Sequence, residues 1–256
     1  MDPAQIAVAI TAGLVIGALL GLVGAGGSIL AIPVLVYGLD LDVQSAVPAS
    51  LVVVGSAALV AALPRLRHQI RWGPALVIGA VGIPAAWAGS TVARHTPDRL
   101  LLSIFIALML AAALRMLVRD DERPGPCQLP SGGTDWAHCL PHSGLLGLAV
   151  GFLTGLVGVG GGFLIVPALA LGVGIETAIG TSLVIITINS AAGLTSHLAQ
   201  GTMPWDVVSA FAPATVLTSL VATRLRHHVP QTVVRKSLAT IVLAVAAAMS
   251  FRLALA

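Results

Sequence analysis

The sequence predicts an all-α polytopic membrane protein of two inverted repeats, each a glycine-broken (re-entrant) helix pair followed by three transmembrane helices. Three observations carry this: composition, a run of long apolar stretches, and an internal repeat. Hydrophobic residues make up 57% of the 256 and charged residues 9%, with a mean hydropathy of +1.00. A soluble domain of this size carries roughly a quarter charged residues to wet its surface, so this chain is solvated by lipid.

The apolar stretches run at roughly 5–38, 43–64, 73–93, 98–118, 143–173, 177–198, 205–223 and 232–255. Most match the ~20 residues of a spanning helix. The first and fifth are too long for one straight crossing, and glycines interrupt both. The residues before the first stretch, Met1 to Gln5, hold no Lys or Arg, so this stretch reads as a retained helix rather than a signal peptide. The one long polar interval, 119–142, holds Arg119-Asp120-Asp121-Glu122-Arg123, several Pro and Gly, and both cysteines. It divides the chain into a first transmembrane repeat at 1–118, a linker at 119–142 and a second repeat at 143–256.

The repeat is explicit. Gly17 to Pro33 aligns without gaps on Gly151 to Pro167, Ala46-Val47-Pro48-Ala49-Ser50-Leu51-Val52 matches Ala178-Ile179-Gly180-Thr181-Ser182-Leu183-Val184, and Trp72 and Trp205 open the next stretch of each half. Charge decides the relative orientation. If each broken stretch crosses completely, the basic residues divide seven to six between the faces. If each is a hairpin entering and leaving on one face, Arg65, Arg67, Arg71, Arg115, Arg119, Arg123, Arg224, Arg226, Arg235 and Lys236 gather on one side, leaving Arg94, Arg99 and Arg252 on the other. Ten against three fits the positive-inside bias. The expected topology is therefore inverted, a common transporter plan, with termini outside and the 119–142 linker cytoplasmic.

Two glycine clusters carry the functional expectation: Gly24, Gly26 and Gly27, followed by Ser28, and Gly158, Gly160, Gly161 and Gly162. Each glycine weakens a helix by ~1 kcal/mol relative to Ala, so the clusters open the backbone. Unpaired amides inside a bilayer must face protein, water or a ligand. A new half-helix beginning after each break would aim free N–H groups and a positive dipole end at a small anion. The spaced glycines 13, 17, 21 and 147, 151, 155 instead have helix-contact spacing. Ser50, Thr181 and Ser182 recur after the breaks; they either bond their own backbone or donate to a ligand, and both readings stay open. Asn189 lies mid-span, where its amide bonds across helices or lines a path. Gln44, Glu176 and His197 sit near stretch ends, where solvation explains them.

The exclusions are as informative. Twelve Arg and one Lys are scattered through short connectors and there is one Tyr, which is no nucleic-acid-binding pattern. No Lys or Arg stands near the middle of an apolar stretch, so an anion would be held without a full counter-charge. Cys127, His138, Cys139 and His142 have no standard zinc spacing. No cofactor is expected. Neither Ser50 nor Ser182 has a His or Asp at a convincing spacing for an enzyme.

With these residues in view, the chain resembles the sulfite exporter TauE/SafE (TSUP) family of membrane permeases. The likeness rests on Gly21-Leu22-Val23-Gly24-Ala25-Gly26-Gly27 with Pro33, on Gly155-Leu156-Val157-Gly158-Val159-Gly160-Gly161-Gly162 with Pro167, and on Gly180-Thr181-Ser182-Leu183. It implies a multi-pass carrier in a prokaryotic cell (inner) membrane, taking small sulfur-containing anions such as sulfite, sulfoacetate and other organosulfonates. A coupling proton or cation and a homo-oligomer are compatible with it, and the competing functions are a passive anion channel or a carrier of a different small organic anion. The first half departs from the motif at Ser28 and Pro48-Ala49, so the halves are expected to contribute unequally.

Overall fold

The computed structural model describes residues 3–24, 26–66, 69–118, 136–158, 175–198, 203–225 and 231–255. These are helical almost throughout: α1 Pro3–Val23, α2 Ala31–Pro33, α3 Val43–Ala62, α4 Trp72–His95, α5 Asp98–Val118, α6 Trp136–Val157, α7 Ile175–Leu198, α8 Trp205–Leu225 and α9 Gln231–Leu255. Five described segments are long and apolar enough to cross a membrane: 3–22, 43–65, 72–95, 176–198 and 205–225. The chain is an all-α polytopic membrane protein.

Helix directions follow from close approaches at small residues. Gly13, Gly17 and Gly21 of α1 face Phe211, Thr215 and Ser219 of α8 in turn, so these helices run parallel. Gly147, Gly151 and Gly155 of α6 face Ile78, Gly82 and Ala86 of α4 in the same manner. A Cβ on Gly17, Gly151 or Gly155 would collide with a partner backbone carbonyl, so the four-residue glycine spacing is a packing device. The first helix of each half thus packs on the helix that follows the paired tryptophan of the other half.

The central pair is α3 and α7. They are buried along 72% and 67% of their spans, against 39–44% for the other three, which makes them the core. Gly55 faces Ser190, and Gly193 faces Leu51, so this pair is antiparallel. Helix α4 runs with α7, since Gly79 faces Ile188 and Gly82 faces Asn189. An N-cap at Asp42 starts α3, its carboxylate accepting from the Ser45 amide at 3.1 Å; such caps hold an otherwise orphaned N–H.

Between α1 and α3 the chain turns back. Gly27 lies against Ile16 and Leu20 and Gly38 against Val8, so 26–38 retraces α1. This return is irregular: a 3-10 turn at Gly26–Leu30, the single turn α2, then a π turn at Val34–Gly38. A short apolar helical segment, Gly27–Gly38, does follow the first break, though its turns are mixed rather than regular α. Helix α1 itself is a full crossing, its 21 residues spanning about 32 Å at 1.5 Å per residue. Helix α6 begins at Trp136, so the segment read as linker ends seven residues earlier than expected. Arg252, near the end of α9, stacks over Tyr37 at 5.7 Å, which brings that end to the face where α1 starts.

Candidate functional site

The two breaks are built alike. Gly24 has φ +88° and Gly158 φ +75°, a left-handed conformation that costs glycine little and other residues more. Each caps the helix before it, Gly24 N–H donating to the Leu20 carbonyl at 2.9 Å and Gly158 N–H to that of Thr154 at 2.8 Å. This is the single-bond left-handed C-terminal cap. Each glycine then seats on the core helix of the other half. Gly24 lies against Ile179 of α7, and Gly158 against Val47 and Ser50 of α3. Ile179 and Val47 are matched residues of the repeat, so the exchange is reciprocal.

The two seats are far apart. With Gly55 opposite Ser190 and Leu51 opposite Gly193, Val47 stands level with the end of α7, while Ile179 stands near its start. The 18 positions from Ile179 to His197 correspond to about 27 Å of helix. The left-handed glycines therefore sit at opposite ends of the α3–α7 pair and do not converge at mid-membrane. The physical reason is the length of α1: about 20 apolar residues precede Gly24, and they consume the bilayer thickness before the chain can break.

The hydroxyl residues are buried and unequal. Ser50 Oγ shares its proton between the carbonyls of Val47 at 2.7 Å and Gly158 at 2.6 Å, tying α3 to the second break. Its counterpart Ser182 donates only to the Ile179 carbonyl at 2.8 Å. Thr181 donates to the Thr177 carbonyl at 2.6 Å and accepts from the Arg71 amide at 3.0 Å. Gly180 lets the Gln69 carbonyl approach, and Gln69 Nε2 donates to Glu176 at 3.0 Å. The connection between α3 and α4 is thereby seated on the start of α7. Ser28 is fully buried beside Gly27. Gly160, Gly161 and Gly162 lie outside the described residues, and Gly26 is described in its backbone alone.

Two residues read as connector or stretch-end groups do more than that. Arg65 is only 3% exposed, and its guanidinium donates to the carbonyls of Gly21 at 3.0 Å and Ala61 at 3.1 Å. His197 Nε2 meets the Gly155 carbonyl at 3.2 Å. Gly21 and Gly155 are matched in the repeat, and extending the Ser50–Ser182 register brings Arg65 onto His197. One position thus clamps the helix before each break, with a permanent cation in one half and an imidazole in the other. The register was the sequence signal for this pairing.

At the middle of α7, Asn189 and Ser190 are 0% and 1% exposed. Neither amide atom of Asn189 nor the Ser190 hydroxyl has a hydrogen-bond partner. Asn189 does not bond across helices; it lies against Gly82.

The arrangement is thus two like-built breaks at opposite ends of one buried helix pair. A family model described as Sulfite exporter TauE/SafE matches residues 9–249. A probable membrane transporter protein of Xylella fastidiosa (strain 9a5c) is 30% identical over 225 residues, covering 85% of each chain. A probable membrane transporter protein of Methanocaldococcus jannaschii is 28% identical over 201 residues, covering 75% of this chain and 72% of its own. The probable membrane transporter protein YunE of Bacillus subtilis is 26% identical over 221 residues, covering 78% and 81%.

Proposed function

Because the chain belongs to the sulfite exporter TauE/SafE family of membrane transporters, we propose that it is a secondary transporter of a small sulfur-containing anion, whether sulfite, sulfoacetate or another organosulfonate. The observation that carries the reading is the reciprocal seating of Gly24 on Ile179 and Gly158 on Val47 and Ser50, at opposite ends of the core pair. Alternating access needs two gates on opposite faces, never open together, and an inverted repeat supplies two of the same construction. The antiparallel course of α3 and α7, matched helices of the two halves, supports inversion. In this reading Gly24, Gly26, Gly27 and Ser28, with Thr181 and Ser182, serve one gate. Gly158, Gly160, Gly161 and Gly162, with Ser50, serve the other, and Asn189 lies on the path between them.

The orientation belongs to the same proposal. Arg65, Arg71 and Arg224 stand at the face carrying the link between α5 and α6, and Arg94, Arg99 and Arg252 at the other. With the full charge count this supports a link in the cytoplasm of a prokaryotic cell and both termini outside.

The test is flux into proteoliposomes loaded with a proton or sodium gradient. A carrier gives slow, saturable sulfite or sulfonate uptake that collapses with the gradient to which it is coupled. Fast uptake, linear in concentration and indifferent to any gradient, would establish the channel instead. Protein-containing vesicles no faster than empty ones, across a panel of sulfur oxyanions and sulfonates, would refute both.

A further inference from the structure

Buried hydroxyls in this protein are paired. Ser50, Ser90, Thr154, Thr181, Ser182, Thr215 and Thr223 each donate to a carbonyl three or four residues earlier. Ser219 reaches the Ala57 carbonyl on α3, and Ser196 meets Ser90. Among the described residues Ser190 is the exception, and its neighbour Asn189 is the other buried neutral side chain left without partners. An unsatisfied buried polar group is costly, so two in succession, at mid-span, call for a partner beyond the protein's own groups.

Their surroundings make room for them. Asn189 faces Gly82 of α4 and Ser190 faces Gly55 of α3. Successive helix positions point about 100° apart, so the pair spans the angle between α3 and α4. The repeat register puts Ala57 and Ala58 at the matching positions of α3, so this polar point exists in one half only. It also falls between the two glycine seats, where a substrate closed off from both faces would rest.

We propose that Asn189 and Ser190 form the central binding point for the transported anion, and that the species bound there is a monoanion. The proposal rests on the transporter reading above and adds a place and a charge state to it. The Asn189 NH₂ and the Ser190 hydroxyl donate to oxyanion oxygens. The Asn189 carbonyl accepts the proton of hydrogen sulfite where that is the anion bound, but the selection between anions rests on charge. No Lys or Arg of the five spans lies near this level. The cost of stripping water from an ion rises with the square of its charge, roughly fourfold for a dianion over a monoanion, and no counter-charge offsets it here.

The experiment is sulfite flux into proteoliposomes by wild type, Ser190→Ala and Asn189→Ala, with methanesulfonate and sulfate as competitors and thermal unfolding in detergent measured alongside. Each substitution should lower flux about tenfold or more, the loss of one hydrogen bond to a charged group. Ser190→Ala should unfold no earlier than wild type, because it removes a hydroxyl that bonds nothing in the protein. Methanesulfonate should compete and sulfate should not. Wild-type flux with both variants unimpaired overturns this binding point while leaving the transporter reading intact. Flux falling only in step with unfolding temperature assigns the pair a structural role and overturns it too, and equal competition by sulfate overturns the charge state. Wild-type vesicles that carry no sulfur anion remove the parent reading and the proposal together.

Discussion

At the scale of single residues, Ser50 and Ser182 show how a repeat can keep a residue and divide its labour. Both are fully buried serines at matched positions. Only Ser50 crosses to the other half, to the carbonyl of Gly158 at 2.6 Å. Ser50→Ala strands that carbonyl beside a left-handed glycine, and the expected loss is about 1–3 kcal/mol. Ser182→Ala removes a bond to its own helix, which competes poorly with the backbone ladder, and should cost under about 1 kcal/mol. Urea or thermal unfolding in detergent separates the two, and equal losses would refute the asymmetry. The sequence alone left each serine between self-bonding and ligand-binding, because no spacing rule reveals which distant carbonyl arrives beside a hydroxyl. Arg65 was hidden for a similar reason. It ends an apolar stretch as a connector arginine does, and only the fold shows its guanidinium turned inward onto Gly21.

At the scale of helices, the glycine ladders were legible and the breaks were legible in part. A four-residue small-residue spacing on α1 and α6 has one good physical use, letting two backbones touch, and both helices use it that way. Gly155→Val pushes a branched side chain into the Ala86 carbonyl, and no rotamer change relieves a clash with backbone. It should prevent α6 from docking on α4, seen as loss of the monodisperse peak in size-exclusion chromatography. Gly144→Ala, on the same helix with nothing within 4 Å of the added carbon, should fold normally and gain up to about 1 kcal/mol of helix propensity. A matching outcome for both variants would show that the ladder is not what holds α6 to α4. The depth of each break is not legible in the sequence, because glycine content says only where a helix opens. Depth is set by how many residues precede the opening, and α1 spends a whole bilayer before Gly24. The irregular return over 26–38 left no periodic signal, since 3-10, α and π turns have three different periods.

At the scale of the whole molecule, the fold was the most legible level, because a chain with this little charge has few options in lipid. Orientation rests on a count of basic residues and can be tested with the two cysteines the chain already has. Cys127 and Cys139 both lie between α5 and the apolar body of α6 in the sequence, and Asp98, at the start of α5, is exposed. In the proposed orientation, a membrane-impermeant maleimide should leave both native cysteines unlabelled in intact cells and reach them once the membrane is opened. Asp98→Cys, made with both native cysteines replaced by serine, should label from outside without permeabilisation. The opposite pattern would keep the fold and reverse the orientation, making the positive-inside count misleading for this chain. Labelling of both positions from one side is the more damaging result. A single crossing, α5, separates them, so the alternation of helix directions that sets the two gates on opposite faces would have to be abandoned.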